Sequence, residues 1–240
     1  MKRMQVSPPG PVPPAPRELG RLGVALAWLA SVQGAWPPVA PAQVRRVLVD
    51  DEGSLDDGVR RADELADGGC DLLVLGCGGD QVPGLVVLSA LLDLEPVQAV
   101  GTAAGAEWTR LTTGVRDGLR GARMHVGDPR GLLKAVGPSS VASCAGLLAQ
   151  SAVRRTPVLL DGSATGAAAA LVAERMAPGA PVWWLAGQVP PSPAARQGLA
   201  DLGMTGLLDL GFGGPQGAEL ALAVLEQAVA LVDLVGYTTP

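Results

Sequence analysis

The sequence predicts an α/β fold in which a doubly wound, mainly parallel sheet carries helices on both faces. Short apolar runs alternate with helical patterns along the chain, as in proteins built from repeated strand–helix–strand units. The apolar runs are continuous, which is typical of parallel strands buried on both faces. One of them, Pro157-Val158-Leu159-Leu160-Asp161-Gly162, passes directly into small helix-forming residues. We therefore expect its carboxylate at the ligand-binding edge of the sheet.

The chain has 240 residues and a formal net charge of -5. This length suits one α/β domain, which we assign to residues 17–240 after a disordered, proline-rich tail at residues 1–16. The tail lacks the apolar core of a signal peptide. Because the sequence has no long run of Lys or Arg, we expect no nucleic-acid partner. We expect no membrane partner either, since no stretch of about 18 apolar residues is free of charge and proline.

The three cysteines, Cys70, Cys77 and Cys144, are too few and too scattered for a disulfide framework or a zinc site. We therefore expect free thiols and a cytoplasmic location. We also expect neither a bound metal nor a resident cofactor.

The first half of the chain is predicted to hold an N-terminal helix, three strands and their covering helices. Residues 17–34 place apolar side chains on one helical face and stop at Gly34, and Ser54 with Asp57 forms a capping box. The predicted elements in order are a helix over 17–34, a strand over 44–50, a helix over 55–67, a strand over 71–76, a helix from Pro83 to Leu94, a short strand over 96–100, a helix over 106–119, and two helices that start at Asp128-Pro129 and Ser139-Ser140.

The second half continues the alternation. It is predicted to contain a strand over 157–160 with an alanine-rich helix, a strand over 181–187, a helix from Ser192-Pro193 to Leu202, a short strand over 207–210 and a last helix over 217–234. Ligands of open parallel sheets bind outside the carboxyl ends of the strands. The candidate binding turns are therefore those after Asp50, Leu75, Val100, Leu160, Ala186 and Leu210.

Three features of these turns are candidates for chemistry. Asp161 either contacts the hydroxyls of a sugar or caps the helix that follows it. Gly101 and Gly105 either let backbone amides face a phosphate or simply form a turn. Cys77 lies among glycines, but His125 is the only imidazole in the chain, so an inert cysteine is favoured over a Cys–His nucleophile.

Several stretches resemble the nicotinate-nucleotide:dimethylbenzimidazole phosphoribosyltransferase (CobT) family of cobalamin nucleotide-loop assembly. The similar segments occur in the family's order between residues 19 and 231. They are Leu19-Gly20-Arg21-Leu22 with Trp28-Leu29-Ala30-Ser31-Val32-Gln33-Gly34 (family LGRL…WLAGVQG), Asp51-Glu52-Gly53 (DHG), Gly69-Cys70-Asp71-Leu72-Leu73-Val74-Leu75-Gly76 (the strand before GEMGIGNTT), Val100-Gly101-Thr102-Ala103-Ala104-Gly105 (VGRGTG), Pro157-Val158-Leu159-Leu160-Asp161-Gly162 (PVLLDGF), and Leu207-Leu208-Asp209-Leu210-Gly211 (LLDLG).

The resemblance implies the family's fold and reaction, which is phosphoribosyl transfer from nicotinate mononucleotide to dimethylbenzimidazole. It implies nicotinate mononucleotide or a related phosphoribosyl compound as the ligand, and we expect a homodimer. The substrate-binding positions that it implies are Asp161, Gly162, Gly101, Gly105, Gly76, Cys77, Gly78 and Gly187.

The departures from the family pattern bear on activity. The family's general-base Glu corresponds to Gln216, whose amide cannot take a proton from the acceptor. Glu219 either substitutes weakly for it or complements the helix N-terminus. The acidic residue of GEMGIGNTT corresponds to Cys77, and a large block is missing between Gly53 and Ser54.

Two hypotheses therefore remain open. The first is an active phosphoribosyltransferase. The second is a non-catalytic protein on the same scaffold that binds a phosphate or nucleotide, or acts as an oligomeric partner. An unrelated doubly wound nucleotide-binding enzyme is disfavoured, because neither G-x-G-x-x-G after a first strand nor a P-loop motif occurs.

Overall fold

A computed structural model describes residues 4–11, 17–50 and 52–235. Its centre is one sheet of four parallel strands in the order β1-β2-β3-β4. The strands are β1 (Val44–Val49), β2 (Leu72–Cys77), β3 (Val158–Leu160) and β4 (Trp184–Ala186). Because all four are parallel, their carboxyl ends share one edge of the sheet.

Helices connect and cover the strands. They are α1 (Gly20–Gln33), α2 (Leu55–Asp67), α3 (Gln81–Leu92), α4 (Pro96–Val100), α5 (Gly105–Ala122), α6 (Pro129–Ala135), α7 (Ser140–Val153), α8 (Ala164–Met176), α9 (Pro193–Asp201) and α10 (Gln216–Val235), with short 3-10 helices at Arg17–Leu19, Arg123–His125 and Ala180–Trp183. Within the described residues, no helix is long and apolar enough to cross a membrane.

The two faces of the sheet pack against different helices. Leu72, Val74 and Leu159 pack with α1 and α10, whereas the alternate residues Leu73 and Leu160 pack in the larger core with the helices that connect the strands. This follows from the two-residue period of a strand. The predicted parallel sheet with helices on both faces is thus confirmed.

Most predicted elements are confirmed within a few residues, and the capping signals explain why. Ser54 and Asp57 form the predicted capping box at the start of α2, and hydrogen bonds from Ser54 and Arg60 lower the pKa of Asp57 to about 2. Asp128 caps α6 by accepting from the N–H of Arg130. The hydroxyl of Ser192 caps α9 by accepting from the N–H of Ala195.

The strand predicted over residues 96–100 is wrong, because this segment is the helix α4. Pro96 occupies the first helical turn, where its missing N–H costs nothing. Glu95 and Gln98 form a reciprocal capping box around it. Local capping therefore decides the conformation of a segment whose apolar residues alone suggested a strand.

Three further boundaries differ. α3 starts at Gln81 rather than Pro83, because Asp80 is its cap. The strand predicted over 181–187 begins with a 3-10 helix that ends at Trp183. The strand predicted over 207–210 is reduced to one parallel bridge between Leu208 and Gln188, which extends the sheet beyond β4.

The described part of the predicted tail, residues 4–11, has neither helix nor strand. It contacts the domain through hydrogen bonds. The N–H of Met4 donates to the carbonyl of Met176, and the indole of Trp183 donates to the carbonyl of Ser7. Residues 1–3 and 12–16 of the tail, and Asp51 of the DHG-like segment, lie outside the described residues.

Candidate functional site

A cavity of about 340 Å³ opens at the carboxyl ends of β1, β2 and β3. We call it the strand-end cavity. It is lined by Leu48, Asp50, Cys77, Gly78, Gly79, Gln81, Gly162, Ser163, Ala164, Thr165, Pro191, Ser192, Gly213, Gly214 and Pro215. The location is the one expected for ligands of an open parallel sheet.

Three helices begin at the wall of this cavity. Gln81 is the first residue of α3, Ala164 and Thr165 are the first two of α8, and Ser192 caps α9. The first N–H groups of a helix have no partner within the helix, and the helix dipole is positive at that end. Some of these groups are already used, since Val82, Gly166 and Ala195 donate to the capping side chains, and Pro83 and Pro193 have no N–H. The first N–H groups of α3 and α8, at Gln81 and Ala164, have no capping partner, and donors of this kind bind phosphate.

Glycines let the backbone close in around the cavity. A Cβ atom at Gly78 would lie 3.1 Å from the Cβ of Asp50, and one at Gly162 would lie 2.8 Å from the carbonyl oxygen of Gln188. Gly79 has a φ of 83°, in the region that favours glycine. Side chains at these positions would displace the turns that form the cavity wall.

Asp161 lies under this wall and is fully buried. One carboxylate oxygen accepts the N–H of Cys77 at 2.6 Å, and the other accepts the N–H and the hydroxyl of Ser163 at 3.1 and 2.8 Å. Ser163 in turn accepts the N–H of Gly166 and caps α8. Asp161 therefore joins the end of β2 to the start of α8. In this structure it has no surface for contact with a sugar, which corrects the predicted ribose contact.

The burial of Asp161 also changes its acidity. Desolvation raises its pKa to about 6, although the hydrogen bonds from Cys77 and Ser163 act in the opposite direction. The carboxyl group of Asp161 therefore changes charge near pH 6.

Cys77 lines the cavity but is almost fully buried. Burial raises the pKa of its thiol well above the usual range, and the neighbouring Cys144 thiol raises it further. Because the reactive form of cysteine is the thiolate, this environment favours an inert residue, as the sequence suggested. The contribution of Cys77 to the site is its backbone.

Four of the predicted glycines lie outside the lining of the strand-end cavity. Gly101 ends α4, where a Cβ would lie 2.6 Å from the ring of Pro193, and Gly105 starts α5. Gly76 allows Pro215 to pack on β2, while Gly187 lies against α10. In the described structure Gly76, Gly101 and Gly187 permit close packing next to the cavity, whereas a Cβ at Gly105 would have no neighbour within 4 Å.

Gln216 and Glu219 lie in an adjoining groove of about 310 Å³, which we call the edge groove. It is lined by Arg46, Val47, Leu48, Val74, Gly76, Pro215, Gln216 and Glu219. Leu48 and Pro215 line the groove and the cavity alike. The carboxylate of Glu219 pairs with Arg46 at 3.0 Å, so it faces a cation rather than the strand-end cavity.

The polar side chains that line the cavity are not among the candidate residues predicted from the sequence. Among the described residues of the lining, Asp50 is the only carboxylate, and Gln81, Ser163 and Ser192 are the main neutral ones. A usable signal was present: Asp50 follows a predicted strand, and Ser192 precedes a predicted helix. No group of three or more potential metal ligands is clustered in the part of the chain that the structure describes.

Comparison with known proteins gives consistent matches. The phosphoribosyltransferase family pattern matches residues 50–237. The nicotinate-nucleotide–dimethylbenzimidazole phosphoribosyltransferase of Mycobacterium tuberculosis (strain ATCC 25618 / H37Rv) is 46% identical over 195 residues, which cover 78% of this chain and 54% of that protein. The protein of the same name from Mycobacterium avium (strain 104) is 45% identical over 189 residues, covering 76% and 54%.

Two solved structures share the fold. The crystal structure of CobT from Thermus thermophilus matches with a TM-score of 0.75 and 24% identity, covering 91% of each chain. A second, described as the nicotinate-nucleotide-dimethylbenzimidazole phosphoribosyltransferase of the same organism, matches with a TM-score of 0.75 and 22% identity, covering 97% of this chain and 96% of that one. The chain spans about half the length of the curated relatives it matches.

Proposed function

This chain belongs to the nicotinate-nucleotide:dimethylbenzimidazole phosphoribosyltransferase family, and from that premise we propose that it binds nicotinate mononucleotide in the strand-end cavity and acts in cobalamin lower-ligand metabolism. The observation that carries the proposal is the convergence of three helix N-termini on one cavity. The uncapped N–H groups at the starts of α3 and α8, those of Gln81 and Ala164, supply donors for the 5′-phosphate of the nucleotide. The volume of about 340 Å³ falls within the range of small-molecule sites.

The reaction that we propose is direct displacement at the anomeric carbon. A ring nitrogen of the benzimidazole forms a bond to that carbon, the bond to nicotinate breaks, and the pyridine nitrogen keeps its electron pair. The acceptor must also lose a proton. Gln216 cannot accept it, and Glu219 is paired with Arg46. We therefore assign the role of base to Asp50, the carboxylate in the lining of the cavity.

A second candidate function is binding without transfer, either as a nucleotide-binding protein or as an oligomeric partner. The observation that favours it is the amide of Gln216 at the position where the family has its general base. The two candidates share the phosphate site and differ in turnover.

The test combines binding with turnover. Calorimetry with nicotinate mononucleotide measures the phosphate site, and chromatography of released nicotinate in the presence of dimethylbenzimidazole measures transfer. Binding with release supports transfer, whereas binding without release supports the second candidate. Absence of saturable binding would refute the nucleotide site itself and leave only the partner role.

The variant Ala164→Pro tests the contribution of a backbone N–H group to phosphate binding. Proline is accepted at the first position of a helix, and Ser163 already has the extended backbone, φ -82° and ψ 157°, that a following proline needs. The variant removes one N–H from the cavity wall. We expect about tenfold weaker nucleotide binding with an unchanged helix content by circular dichroism. Unchanged affinity would argue against a phosphate at the start of α8.

We further propose a homodimer and a cytoplasmic location. Leu220, Leu231 and Leu234 are exposed on one side of α10, which supports an apolar contact between two copies. All three cysteines are free and buried, which supports a reducing compartment.

A further inference from the structure

A second cavity, of about 430 Å³, lies between α2 and α6. We call it the α2–α6 cavity. It is lined by Gly53, Ser54, Leu55, Asp56, Arg130, Leu133, Lys134, Gly137, Pro138 and Ala142. It shares no described lining residue with the strand-end cavity, so a ligand bound here would be separate from the nucleotide.

Two cationic side chains approach this cavity from the same helix. Arg130 and Lys134 are four residues apart on α6 and therefore lie on the same side of it. Arg130 is 3.4 Å from a carboxylate oxygen of Asp56. Among the residues that the structure describes, Lys134 has no ion-pair partner. Among the described lining residues, the charged side chains are thus two cations and one carboxylate, a net charge of one positive.

The remainder of the wall is largely apolar. Leu55 and Leu133 are buried side chains whose surfaces face the cavity, and Pro138 and Ala142 complete the wall. An apolar body placed here would be removed from water on several sides. A fully hydrated ion such as free phosphate would gain nothing from these contacts.

A buried hydroxyl lies directly behind the wall. Ser139 follows Pro138 in the chain and pairs with Gly53 across an isolated bridge, so it sits between two lining residues. Although it precedes α7, its side chain makes no capping bond, and its Oγ is buried without a partner among the described residues. Buried polar groups usually have a hydrogen-bond partner, and this one is unsatisfied beside a cavity.

We propose that the α2–α6 cavity binds a small apolar molecule that carries a single carboxylate, such as an aromatic monocarboxylate. The carboxylate pairs with Lys134 and Arg130, and the apolar body packs on Leu55 and Leu133. One negative charge matches the net positive charge of the described lining residues. The proposal is independent of the nucleotide site, because it rests on different residues.

The experiment uses the full chain with benzoate as the probe and benzamide as its uncharged counterpart. Calorimetry should give one saturable benzoate site, with benzamide bound at least about tenfold more weakly, since hydrogen bonds to charged groups are the stronger kind. Lys134→Met and Arg130→Met should each weaken benzoate binding about tenfold. Arg120→Met, an exposed arginine of α5 outside the cavity, is the matched control and should bind as the wild type does.

Amide chemical shifts of the unmodified protein give a readout that does not depend on any variant. Benzoate should shift the backbone amides of Gly53 and Gly137, which line the α2–α6 cavity, and leave those of Gly78 and Gly162 in place. The proposal is overturned if benzoate does not bind saturably, if benzamide binds equally well, if Arg120→Met is as harmful as Lys134→Met, or if the shifts centre on the strand-end cavity.

Discussion

At the scale of single residues, Asp161 shows how a carboxylate at a strand end can serve the site without touching a ligand. Its oxygens accept the N–H of Cys77 on one side and both donors of Ser163 on the other. These bonds fix the turn after β2 relative to the first turn of α8. Both turns line the strand-end cavity, so Asp161 holds the shape of the proposed phosphate site from beneath.

The raised pKa of Asp161 predicts a specific pH dependence of stability. Its folded pKa of about 6 lies above the ordinary value of 3.8. Its stabilising contribution is therefore fully present below about pH 4 and is lost as the pH rises through about 6. A difference of about two pH units corresponds to about 3 kcal/mol in the free energy of unfolding.

Asp161→Asn tests this dependence, because the amide does not titrate. We expect the difference in unfolding free energy between wild type and variant to shrink by up to about 3 kcal/mol between about pH 4 and pH 7 in denaturant titrations. Asp57 does not interfere, since its lowered pKa places its contribution at about pH 2–4. A difference that stays constant, or grows with pH, would show that Asp161 ionises normally.

The matched control for this experiment is Asp71→Asn. Asp71 also accepts two backbone N–H groups, from Ala42 and Gln43, but it is exposed. Its substitution removes two backbone hydrogen bonds from a carboxylate in water, and so measures the cost of losing such bonds without burial.

Asp50→Asn tests the residue to which we assign the proton of the acceptor. Asp50 is exposed at the cavity, so the substitution should not affect folding. We expect nicotinate release to fall at least about a hundredfold, within the usual range for loss of a general base, while nucleotide affinity stays within about threefold. Glu219→Gln is the control, and release that depends on Glu219 instead would reassign the base to the edge groove.

At the scale of elements, the sequence predicts a helix or strand correctly where signals close in the chain decide its structure. Helices with a capping residue, such as α2 and α9, were placed closely because cap and helix are contiguous in sequence. Residues 96–100 form a helix instead of the predicted strand, because the apolar pattern on which the prediction rests does not include the Glu95–Gln98 capping box. The role of Asp161 was not predictable, since it depends on Cys77, which is 84 positions away in the chain.

The same limit applies to Gln216 and Glu219. The sequence placed both at the start of the last helix, which is correct. It does not indicate that both side chains line the edge groove beside Pro215, or that Arg46 of β1 pairs with Glu219. Such contacts join distant parts of the chain, and a single sequence gives no direct signal for them.

Two glycines allow the helices α2 and α7 to cross closely. A Cβ atom on Gly58 would overlap the carbonyl oxygen of Ser143, and one on Gly146 would overlap the carbonyl oxygen of Leu55. The backbones of the two helices therefore touch directly. This contact brings the start of α7 to β2, where the hydroxyl of Ser140 donates to the carbonyl of Gly78 at 2.7 Å.

Gly146→Ala tests this helix contact. Alanine has the better helix propensity by about 1 kcal/mol, but the overlap with Leu55 forces the helices apart, and we expect a net loss of at least about 2 kcal/mol in unfolding free energy. Gly121→Ala in α5 is the control, because nothing lies within 4 Å of its Cβ position, and it should stabilise by up to about 1 kcal/mol. Equal effects of the two substitutions would contradict the close crossing.

At the scale of the whole molecule, the two faces of the sheet differ in what they support. One face carries the larger core and the strand-end cavity, and the other carries the helix that we propose as the dimer contact. The helices that connect the strands form the larger core and supply the helix N-termini at the strand-end cavity. Within the described residues, α1 and α10 cover the opposite face. This second layer therefore lies on the side of the sheet away from the larger core.

The proposed dimer contact is the outer side of α10. Leu220, Leu231 and Leu234 share one side of the helix, because about eleven residues make three turns and about three more return to the same side. The exposed fractions of these three side chains are 44%, 45% and 82%.

Light scattering of the wild type should report a dimer. Leu231→Glu should shift it to a monomer, because a carboxylate buried in an apolar contact is unfavourable. Leu210→Glu, at a leucine that is 56% exposed outside α10, should remain dimeric. A monomeric wild type, or equal dissociation of both variants, would rule out α10 as the contact surface.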